Sequence, residues 1–250
     1  MIKKLIDVKN LDLVVPGYNS VSSSFKTKAL KTIMGNKFIN IADNIRHFHI
    51  LNNINFSMKA GERIGIIGKN GSGKTSFLRL LSGIYKPTKG QIIFNSKITP
   101  LLDISLGLDS EATGLENIFL RGYILGMKKD YITERLEEII SFSELKEKIY
   151  QPMRIYSLGM SMRLAFSIST CIAPEVLVMD EWISVGDESF IKKANIRLNQ
   201  LVEQSSGFIL ASHSMEQIKK LCTRVIYMNS GRIIVDDNAD VAIKAYHEDI

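Results

Sequence analysis

The chain has 250 residues, of which 45% are hydrophobic and 23% are charged, and its net charge is +6. These values are ordinary for a globular protein and exclude a disordered, collagenous or fibrous chain. The two cysteines, Cys171 and Cys222, are too few for a disulfide scaffold and lack the spacing of a metal site. We therefore expect a reducing compartment and no zinc site.

The N-terminal segment MIKKLIDVKNLDLVV carries charges within its apolar stretch and has no small-residue cleavage site, so we expect no secretory signal. No window reaches the roughly 18 to 20 uninterrupted apolar residues that cross a bilayer, and the chain is not expected to span a membrane itself. The small positive charge suits nucleic acid, anionic lipid or nucleotide phosphates, and equally an ordinary solubilising surface.

Strand-like and helix-like segments alternate along the chain and predict an α/β fold. Strands are predicted at 5–15, 54–58, 63–67, 91–94, 176–179, 208–211 and 225–228. Helices are predicted at 74–82, 114–125, 131–142, 159–173, 188–204, 214–221 and 239–247. Because residues 111–173 contain helices and no convincing strand, we expect a helical insert in a sheet domain.

A Ser-rich run after the first predicted strand leads into the segment FKTKALKTIMGNKF. Its apolar residues recur at helical spacing and predict an amphipathic helix: Phe25, Ala29, Leu30, Ile33 and Met34. Two interpretations stay open. The helix packs on the surface of its own domain, or it docks on a membrane partner or lies at the lipid headgroups.

The strongest chemical signal is a glycine-rich loop between a predicted strand and a predicted helix. Its residues are Gly68, Lys69, Asn70, Gly71, Ser72, Gly73, Lys74 and Thr75, followed by Ser76. In such a loop, backbone N–H groups and the helix N-terminus wrap the phosphates of a nucleotide. Lys74 can reach the β and γ phosphates, and the Thr75 hydroxyl can bind Mg²⁺. A glycine-rich turn without a ligand is the alternative interpretation.

An acidic pair, Asp180 and Glu181, follows the predicted buried strand 176–179. Asp180 would hold Mg²⁺ through its hydration shell, and Glu181 would polarise or deprotonate the attacking water. Such a pair alone is often part of a solvated loop. Together with the glycine-rich loop, it predicts a nucleotide hydrolase.

Two further segments distinguish subclasses of nucleotide hydrolase. The first precedes and opens a predicted helix and comprises Tyr156, Ser157, Gly159 and Met160. A serine hydroxyl and free N–H groups at a helix N-terminus form a second phosphate site, although Ser-x-Gly is more often a simple N-cap. The second contains His213, which follows the predicted strand 208–211. Its side chain either hydrogen-bonds a γ-phosphate and the lytic water or has a purely structural role.

In this combination the motifs resemble the ATPase subunits of ATP-binding-cassette (ABC) transporters across nearly the whole chain. The segments YSLGMSMRLAFS and DEWISVGDESF are similar to variants found in the branch that exports bacterial polysaccharides. The resemblance implies a RecA-like P-loop ATPase core with an antiparallel β edge sheet and an inserted α-helical subdomain. It implies a single domain, with the core at 1–99 and 174–250, the helical subdomain at 100–173 and an extra N-terminal helical segment at 17–49.

The same resemblance implies a head-to-tail homodimer that encloses two ATP molecules with Mg²⁺. Ser157 and Gly159 of one subunit would cap the γ-phosphate held by the other, and Asp187 would be the D-loop aspartate that links the two sites. His213 would be the switch histidine. A separate transmembrane permease, present in two copies, would move lipid-linked O antigen, capsular polysaccharide or teichoic acid. The chain would then lie peripherally on the cytoplasmic face of the inner (plasma) membrane.

The adenine contact departs from the family pattern. Val15 replaces the aromatic residue that usually stacks on adenine, which leaves Tyr18 as the nearest substitute and Phe48 as another. The chain ends at Ile250, soon after its last predicted helix, so a carbohydrate-binding domain is not expected within this subunit.

Two positions near the catalytic motifs also depart from the family pattern. The Q-loop glutamine is absent, and the segment LLDIS puts Asp103 or Ile104 near its place. Of these two, Asp103 is predicted to be a ligand of the metal or of water. The proline that often follows the catalytic glutamate is Trp182 here, and the sequence does not indicate its role.

Two alternative functions stay open at this stage. A soluble ABC ATPase that acts on nucleic acid or the ribosome would usually carry long coiled coils or paired cassettes. The chain has no sustained heptads and no basic blocks, so a nucleic-acid partner is not expected. A P-loop kinase or small GTPase would have neither the signature segment nor the switch histidine.

Overall fold

A computed structural model describes residues 3–16, 47–182 and 187–249 of the chain. Tyr18 and the predicted amphipathic helix that begins near Phe25 lie outside these residues. Within the described ranges, no helix is both long enough and apolar enough to cross a membrane.

The first sheet is antiparallel and three-stranded. It is formed by β1 (Lys4–Pro16), β2 (His47–Lys59) and β4 (Lys89–Phe94), with β1 in the middle. Side chains alternate between the two faces of a strand, so Leu11 and Leu13 of β1 are both buried on the same side. This face packs onto the rest of the molecule through a cluster of buried apolar residues.

The second sheet has six strands and is mainly parallel. In order across the sheet they are β5 (Ile98–Leu101), β6 (Val176–Asp180), β7 (Gly207–Ala211), β3 (Arg63–Ile67), β8 (Arg224–Asn229) and β9 (Arg232–Asp237). Only β9 runs antiparallel to its neighbour. The interior strands β6, β7 and β3 are almost entirely buried, because both faces of a parallel sheet are covered.

Eight α-helices are described. They are α1 (Lys74–Leu81), α2 (Gly114–Ile124), α3 (Lys129–Glu134), α4 (Leu136–Ser143), α5 (Leu158–Ser169), α6 (Glu188–Gln204), α7 (Met215–Leu221) and α8 (Ala239–Glu248). Two short 3₁₀ helices, Lys146–Tyr150 and Met153–Ile155, connect α4 to α5.

Three clusters of buried apolar residues stabilise these layers. One lies between the two sheets and includes α1, and another joins the parallel sheet to α5, α6 and α8. The third lies among the helices between residues 118 and 171. Phe142 stacks on Phe166 with ring centroids 5.9 Å apart, and both rings meet Phe190 edge-on. These three rings connect α4 and α5 to α6, and so fasten the helical region to the sheet.

The predicted α/β class is confirmed, but two strands and one helix break were missed. Strands β5 and β9 were not predicted, and the helix predicted at 131–142 is two helices that meet at Arg135. Residues 100 and 101, within the range 100–173 that the resemblance implied for the helical subdomain, belong to β5, which pairs with β6. Between residues 111 and 173 the structure has helices and one isolated bridge, from Thr113 to Pro152.

Candidate active site

The carboxyl ends of β3, β6 and β7 meet at one edge of the parallel sheet. Because these strands are neighbours and run in the same direction, the segments that follow them lie side by side. A cavity of about 480 Å³ opens there, and it is lined by Ile50, Asn70, Gly71, Ser72, Gly73, Lys74, Thr75, Ser76, Asp180, Glu181 and His213. The structure therefore brings most of the predicted loop together with the acidic pair and the histidine.

The glycine-rich loop approaches neighbouring backbone too closely for side chains at two positions. Gly68 has φ 152°, and a Cβ there would lie 2.2 Å from the carbonyl oxygen of Met228. Gly73 has φ 102°, and its Cβ would lie 2.8 Å from Leu51. Gly73 is also the N-cap of α1 and offers no side-chain cap. The first-turn N–H groups of α1 therefore have no side-chain acceptor at the cap and are available to an anion.

The ammonium group of Lys74 lies inside this loop. Its side chain is buried, and Nζ donates hydrogen bonds to the carbonyl oxygens of Gly68 at 2.7 Å and Lys69 at 3.1 Å. Burial lowers the pKa of Lys74, and the negative charges of Asp180 and Glu181 oppose that shift. Gly68 and Lys69 thus serve the site through their backbone, although they do not line the cavity.

The residues of the cavity fit a phosphate chain with a hard cation. Ser72 lines the cavity, and its buried Oγ has no hydrogen-bond partner among the described residues. Thr75 and Asp180 line the same cavity and offer hydroxyl and carboxylate oxygens, which Mg²⁺ prefers. The donor set is therefore appropriate for Mg²⁺ bound to a nucleotide.

Glu181 adopts an unusual backbone conformation. Its φ is 74°, in the left-handed region that non-glycine residues rarely adopt and that clusters at functional sites. Its N–H donates to the carbonyl oxygen of Ala211 at 2.8 Å. Its carboxylate accepts hydrogen bonds from the Ser212 hydroxyl at 2.7 Å and from the His213 N–H at 2.9 Å. The end of β7 therefore holds both the backbone and the side chain of Glu181.

The signature residues lie outside the cavity. Ser157 is exposed and caps α5, since its Oγ accepts a hydrogen bond from Met160 N–H at 3.2 Å. The Tyr156 hydroxyl donates to the carbonyl oxygen of Lys148 at 2.7 Å. Gly159 lies in the first turn of α5. None of these residues lines the cavity of the same chain.

Asp187 also lies outside the cavity, at the N-cap of α6. Its carboxylate accepts hydrogen bonds from the hydroxyl of Ser189 at 2.7 Å and from the N–H of Phe190 at 3.0 Å, which lower its pKa. It also forms an ion pair with Arg163 of α5. Asp187 therefore connects the helix after the acidic pair to the helix that begins at Ser157.

The structure does not place Asp103 at the cavity. Its carboxylate turns back on its own segment and accepts hydrogen bonds from the N–H of Ser105 at 3.2 Å and its hydroxyl at 2.9 Å. Phe48, the other adenine candidate, pairs with Val15 across β1 and β2 and does not line the cavity either. Instead Ile50, which was not predicted, supplies an apolar wall.

A family model described as ABC transporter matches residues 51–184. The chain is 32% identical over 250 residues to the O-antigen export system ATP-binding protein RfbB of Klebsiella pneumoniae, and the match covers 98% of each chain. It is 38% identical over 211 residues to the protein of the same name from Myxococcus xanthus, covering 84% of this chain but only 48% of that protein.

A solved structure shares the fold at lower sequence identity. It is a dimer of the ATP-binding cassette MJ0796 in a post-hydrolysis state bound to ADP and Pi. The TM-score is 0.67 at 19% identity, and the match covers 94% of this chain and 99% of that chain. This similarity supports the arrangement of sheets and helices described above.

Proposed function

The chain belongs to the ABC transporter family, and we propose that it is the ATP-hydrolysing subunit of an exporter of lipid-linked polysaccharide. The observation that carries this proposal is the convergence of Lys74, Thr75, Asp180, Glu181 and His213 on one cavity. The relatives reported above, which are named for O-antigen export, support the choice of cargo. O antigen, capsular polysaccharide and teichoic acid are the polymers considered.

In this proposal, the chain's own residues position ATP and a water molecule. The loop N–H groups and Lys74 bind the β and γ phosphates, and His213 hydrogen-bonds the γ-phosphate. Thr75 and Asp180 would hold Mg²⁺, which neutralises charge that develops on the phosphate oxygens. Glu181 accepts a proton from the water that attacks phosphorus, and the leaving ADP departs on the opposite side.

A second copy of the chain completes the site in this proposal. Ser157, at the N-terminus of α5, is exposed and does not line the cavity of its own chain. Its free N–H groups and hydroxyl suit the γ-phosphate held by a partner in a head-to-tail homodimer. ATP would then favour the closed dimer, and hydrolysis would release it.

An apolar surface on α2 supports a membrane partner. Three large side chains of α2 are exposed, Leu120 by 41%, Tyr123 by 49% and Ile124 by 61%, and so is Leu106, which precedes the helix, by 63%. Arg121 fixes the nearby segment, because its guanidinium donates to the carbonyl oxygen of Leu106. We propose that two copies of a transmembrane permease dock on these surfaces and hold the ATPase peripherally at the cytoplasmic face of the inner membrane.

A soluble ABC ATPase that acts on nucleic acid is the weaker candidate. The net charge is only +6, and both relatives reported above are named for export rather than for nucleic acid. Docking through exposed apolar side chains also suits a protein partner better than a phosphate backbone.

Replacing Glu181 by Gln tests the hydrolytic part of the proposal. We expect the variant to bind Mg·ATP and to accumulate as a dimer, because binding is retained while the water is no longer deprotonated. Light scattering with ATP measures the dimer, and phosphate release measures hydrolysis. A variant that remains monomeric with ATP, or that hydrolyses ATP at the wild-type rate, would contradict the proposal.

A transport assay tests the cargo. Inside-out membrane vesicles would contain the chain together with the proposed permease, and a radiolabelled lipid-linked glycan would be added. We expect ATP-dependent transfer of glycan to the vesicle lumen with the wild-type chain and none with the Glu181→Gln variant. Equal transfer with the wild-type chain and the Glu181→Gln variant would show that ATP hydrolysis by this chain does not drive transport.

A further inference from the structure

Three consecutive residues at the end of β7 hold Glu181. Ala211 accepts a hydrogen bond from the Glu181 N–H at 2.8 Å. The hydroxyl of Ser212 donates to Oε2 at 2.7 Å, and the N–H of His213 donates to Oε1 at 2.9 Å. Each carboxylate oxygen therefore has one fixed donor.

The proton of the Ser212 hydroxyl is directed at this carboxylate. The N–H of Ser214 donates to Ser212 Oγ at 3.1 Å, so the hydroxyl is an acceptor on that side. Ser212 Oγ lies 2.7 Å from Glu181 Oε2 and 3.5 Å from Gln217 Oε1, so the single hydroxyl proton is donated to Glu181. Ser212 is 1% exposed, so bulk water does not compete for this hydrogen bond.

Ser212 is itself fixed to the central strand of the sheet. Its N–H donates to the carbonyl oxygen of Ile66 in β3 at 3.2 Å. Glu181, in contrast, has left the strand geometry of β6, with φ at 74°. Regular secondary structure therefore does not set the direction of the Glu181 side chain, and the contacts from the end of β7 set it instead.

We propose that Ser212 is a positioning residue for ATP hydrolysis, in which its hydroxyl fixes the orientation of the Glu181 carboxylate. This inference rests on the proposed function, in which Glu181 accepts the proton of the attacking water. A carboxylate has about four lone-pair sites, and the two hydrogen bonds leave the others free to accept that proton. Fixed orientation of a general base is a recognised source of rate enhancement.

Kinetics of the Ser212→Ala variant test the inference. We expect kcat for ATP hydrolysis to fall about tenfold, which corresponds to about 1.4 kcal/mol in the barrier. The KM for ATP should stay within about twofold, because the phosphate contacts lie in the glycine-rich loop. The Ser212→Thr variant keeps the hydroxyl and should recover most of kcat.

A matched control separates positioning from general destabilisation. Ser143 is likewise buried, and its hydroxyl donates to the carbonyl oxygen of Ile140 at 2.8 Å in the helical region. Ser143→Ala removes a comparable hydrogen bond and should leave kcat unchanged. Equal falls in kcat for the Ser143→Ala and Ser212→Ala variants would overturn the inference, as would a folded Ser212→Thr variant with the low rate of Ser212→Ala.

A double variant shows whether Ser212 acts through Glu181. If it does, adding Ser212→Ala to Glu181→Gln should lower the residual single-turnover rate by less than about twofold. A full tenfold further loss would overturn the inference. If the wild type does not hydrolyse ATP, or Glu181→Gln keeps the wild-type rate, the proposed function itself fails. If those two results are as expected and Ser212→Ala has the wild-type kcat, only the inference fails.

Discussion

Lys74 carries a positive charge into a buried position at the start of α1. Its Nζ is held by two loop carbonyl oxygens, from Gly68 and Lys69. Burial lowers the pKa of Lys74, while the charges of Asp180 and Glu181 partly restore it. A phosphate chain in the cavity would add negative charge next to the ammonium group and favour its protonated form.

Replacing Lys74 by Ala should lower ATP hydrolysis by at least about 100-fold, because the charge on the phosphates is left without its cation. Phosphate release under saturating Mg·ATP measures the effect. Lys192→Ala is the control, because Lys192 is 73% exposed and its ion pair, among the residues that the structure describes, is with Glu188 on the surface of α6. Near wild-type hydrolysis by the Lys74→Ala variant would refute the assignment of the phosphate site.

Residues within contiguous motifs could be predicted from the sequence, and residues that act through the fold could not. Apolar runs in the sequence predict the strands, and the motif residues closely follow the ends of these strands: the loop, Asp180, Glu181 and His213. The contact of Ser212 with Glu181 could not be predicted from the sequence, because it depends on β6 and β7 being neighbours in the sheet. The family resemblance predicts Asp103 as a ligand of the metal or of water, whereas in the structure its carboxylate accepts hydrogen bonds from Ser105.

At the scale of elements, the missed strands share a cause. Strand β5 has only four residues, includes Pro100 and lies at the edge of its sheet, where proline is tolerated. Strand β9 lies at the opposite edge of the sheet, and its apolar run is only three residues long, at 233–235. The break at Arg135 was hidden because the buried residues Ile132 and Ile139 keep helical spacing across it.

Two glycines with left-handed backbones provide a matched test of sheet packing. Gly90 is the second residue of β4 and has φ 77°, and its Cβ would lie 2.3 Å from the carbonyl oxygen of Asn10. Gly61, in the turn before β3, has φ 86° and open space around it. Gly61→Ala should lower the free energy of unfolding by about 1 to 2 kcal/mol, and Gly90→Ala by at least about 2 kcal/mol more. Urea denaturation measures both, and equal losses would contradict the described contact between β1 and β4.

Arg121 ties α2 to two other parts of the helical region. Its buried guanidinium donates to Ser169 Oγ of α5 at 3.0 and 3.2 Å and to the carbonyl oxygen of Asp103 at 3.2 Å. Burial lowers its pKa to about 10. The segment after β5 is therefore held to α2 and α5 by one side chain.

Replacing Arg121 by Met should lower the free energy of unfolding by about 2 to 4 kcal/mol, because one buried and two part-buried acceptors lose their donor. Arg154→Met is the control. Arg154 is 57% exposed in its pair with Glu111, and its loss should cost less than about 1 kcal/mol. Chemical denaturation compares the two variants, and a similar small loss in both would show that the Arg121 contacts do not stabilise the fold.

At the scale of the whole molecule, two buried thiols report on separate regions. Cys171 lies in the apolar cluster of the helical region and Cys222 in the cluster that joins the parallel sheet to its helices. Burial raises the pKa of Cys171 to about 11 and that of Cys222 to about 12. The thiol of an unfolded cysteine has a pKa of about 8.5. Above that pH the unfolded chain therefore binds fewer protons than the folded chain.

The free energy of unfolding should therefore fall as the pH rises from about 8.5 to 11, with each thiol contributing up to about 1.4 kcal/mol per pH unit. Denaturation at several pH values measures the slope. A variant with both Cys171→Ala and Cys222→Ala should have a shallower slope, since the other titrating groups are unchanged. The same slope in both proteins would show that the thiols titrate alike in the folded and unfolded chains.

The position of β3 in the middle of the parallel sheet has a consequence for biosynthesis. Ile64 pairs with Ile209 on one side and with Arg224 on the other, so its second neighbour is translated 160 residues later. At bacterial and eukaryotic elongation rates this interval lasts roughly 8 to 30 s. Strand β3, which leads into the glycine-rich loop, therefore leaves the ribosome long before its partners β7 and β8. Until they emerge, this apolar strand lacks both of its neighbours in the sheet. A nascent chain arrested before β7 would expose this strand to chaperones.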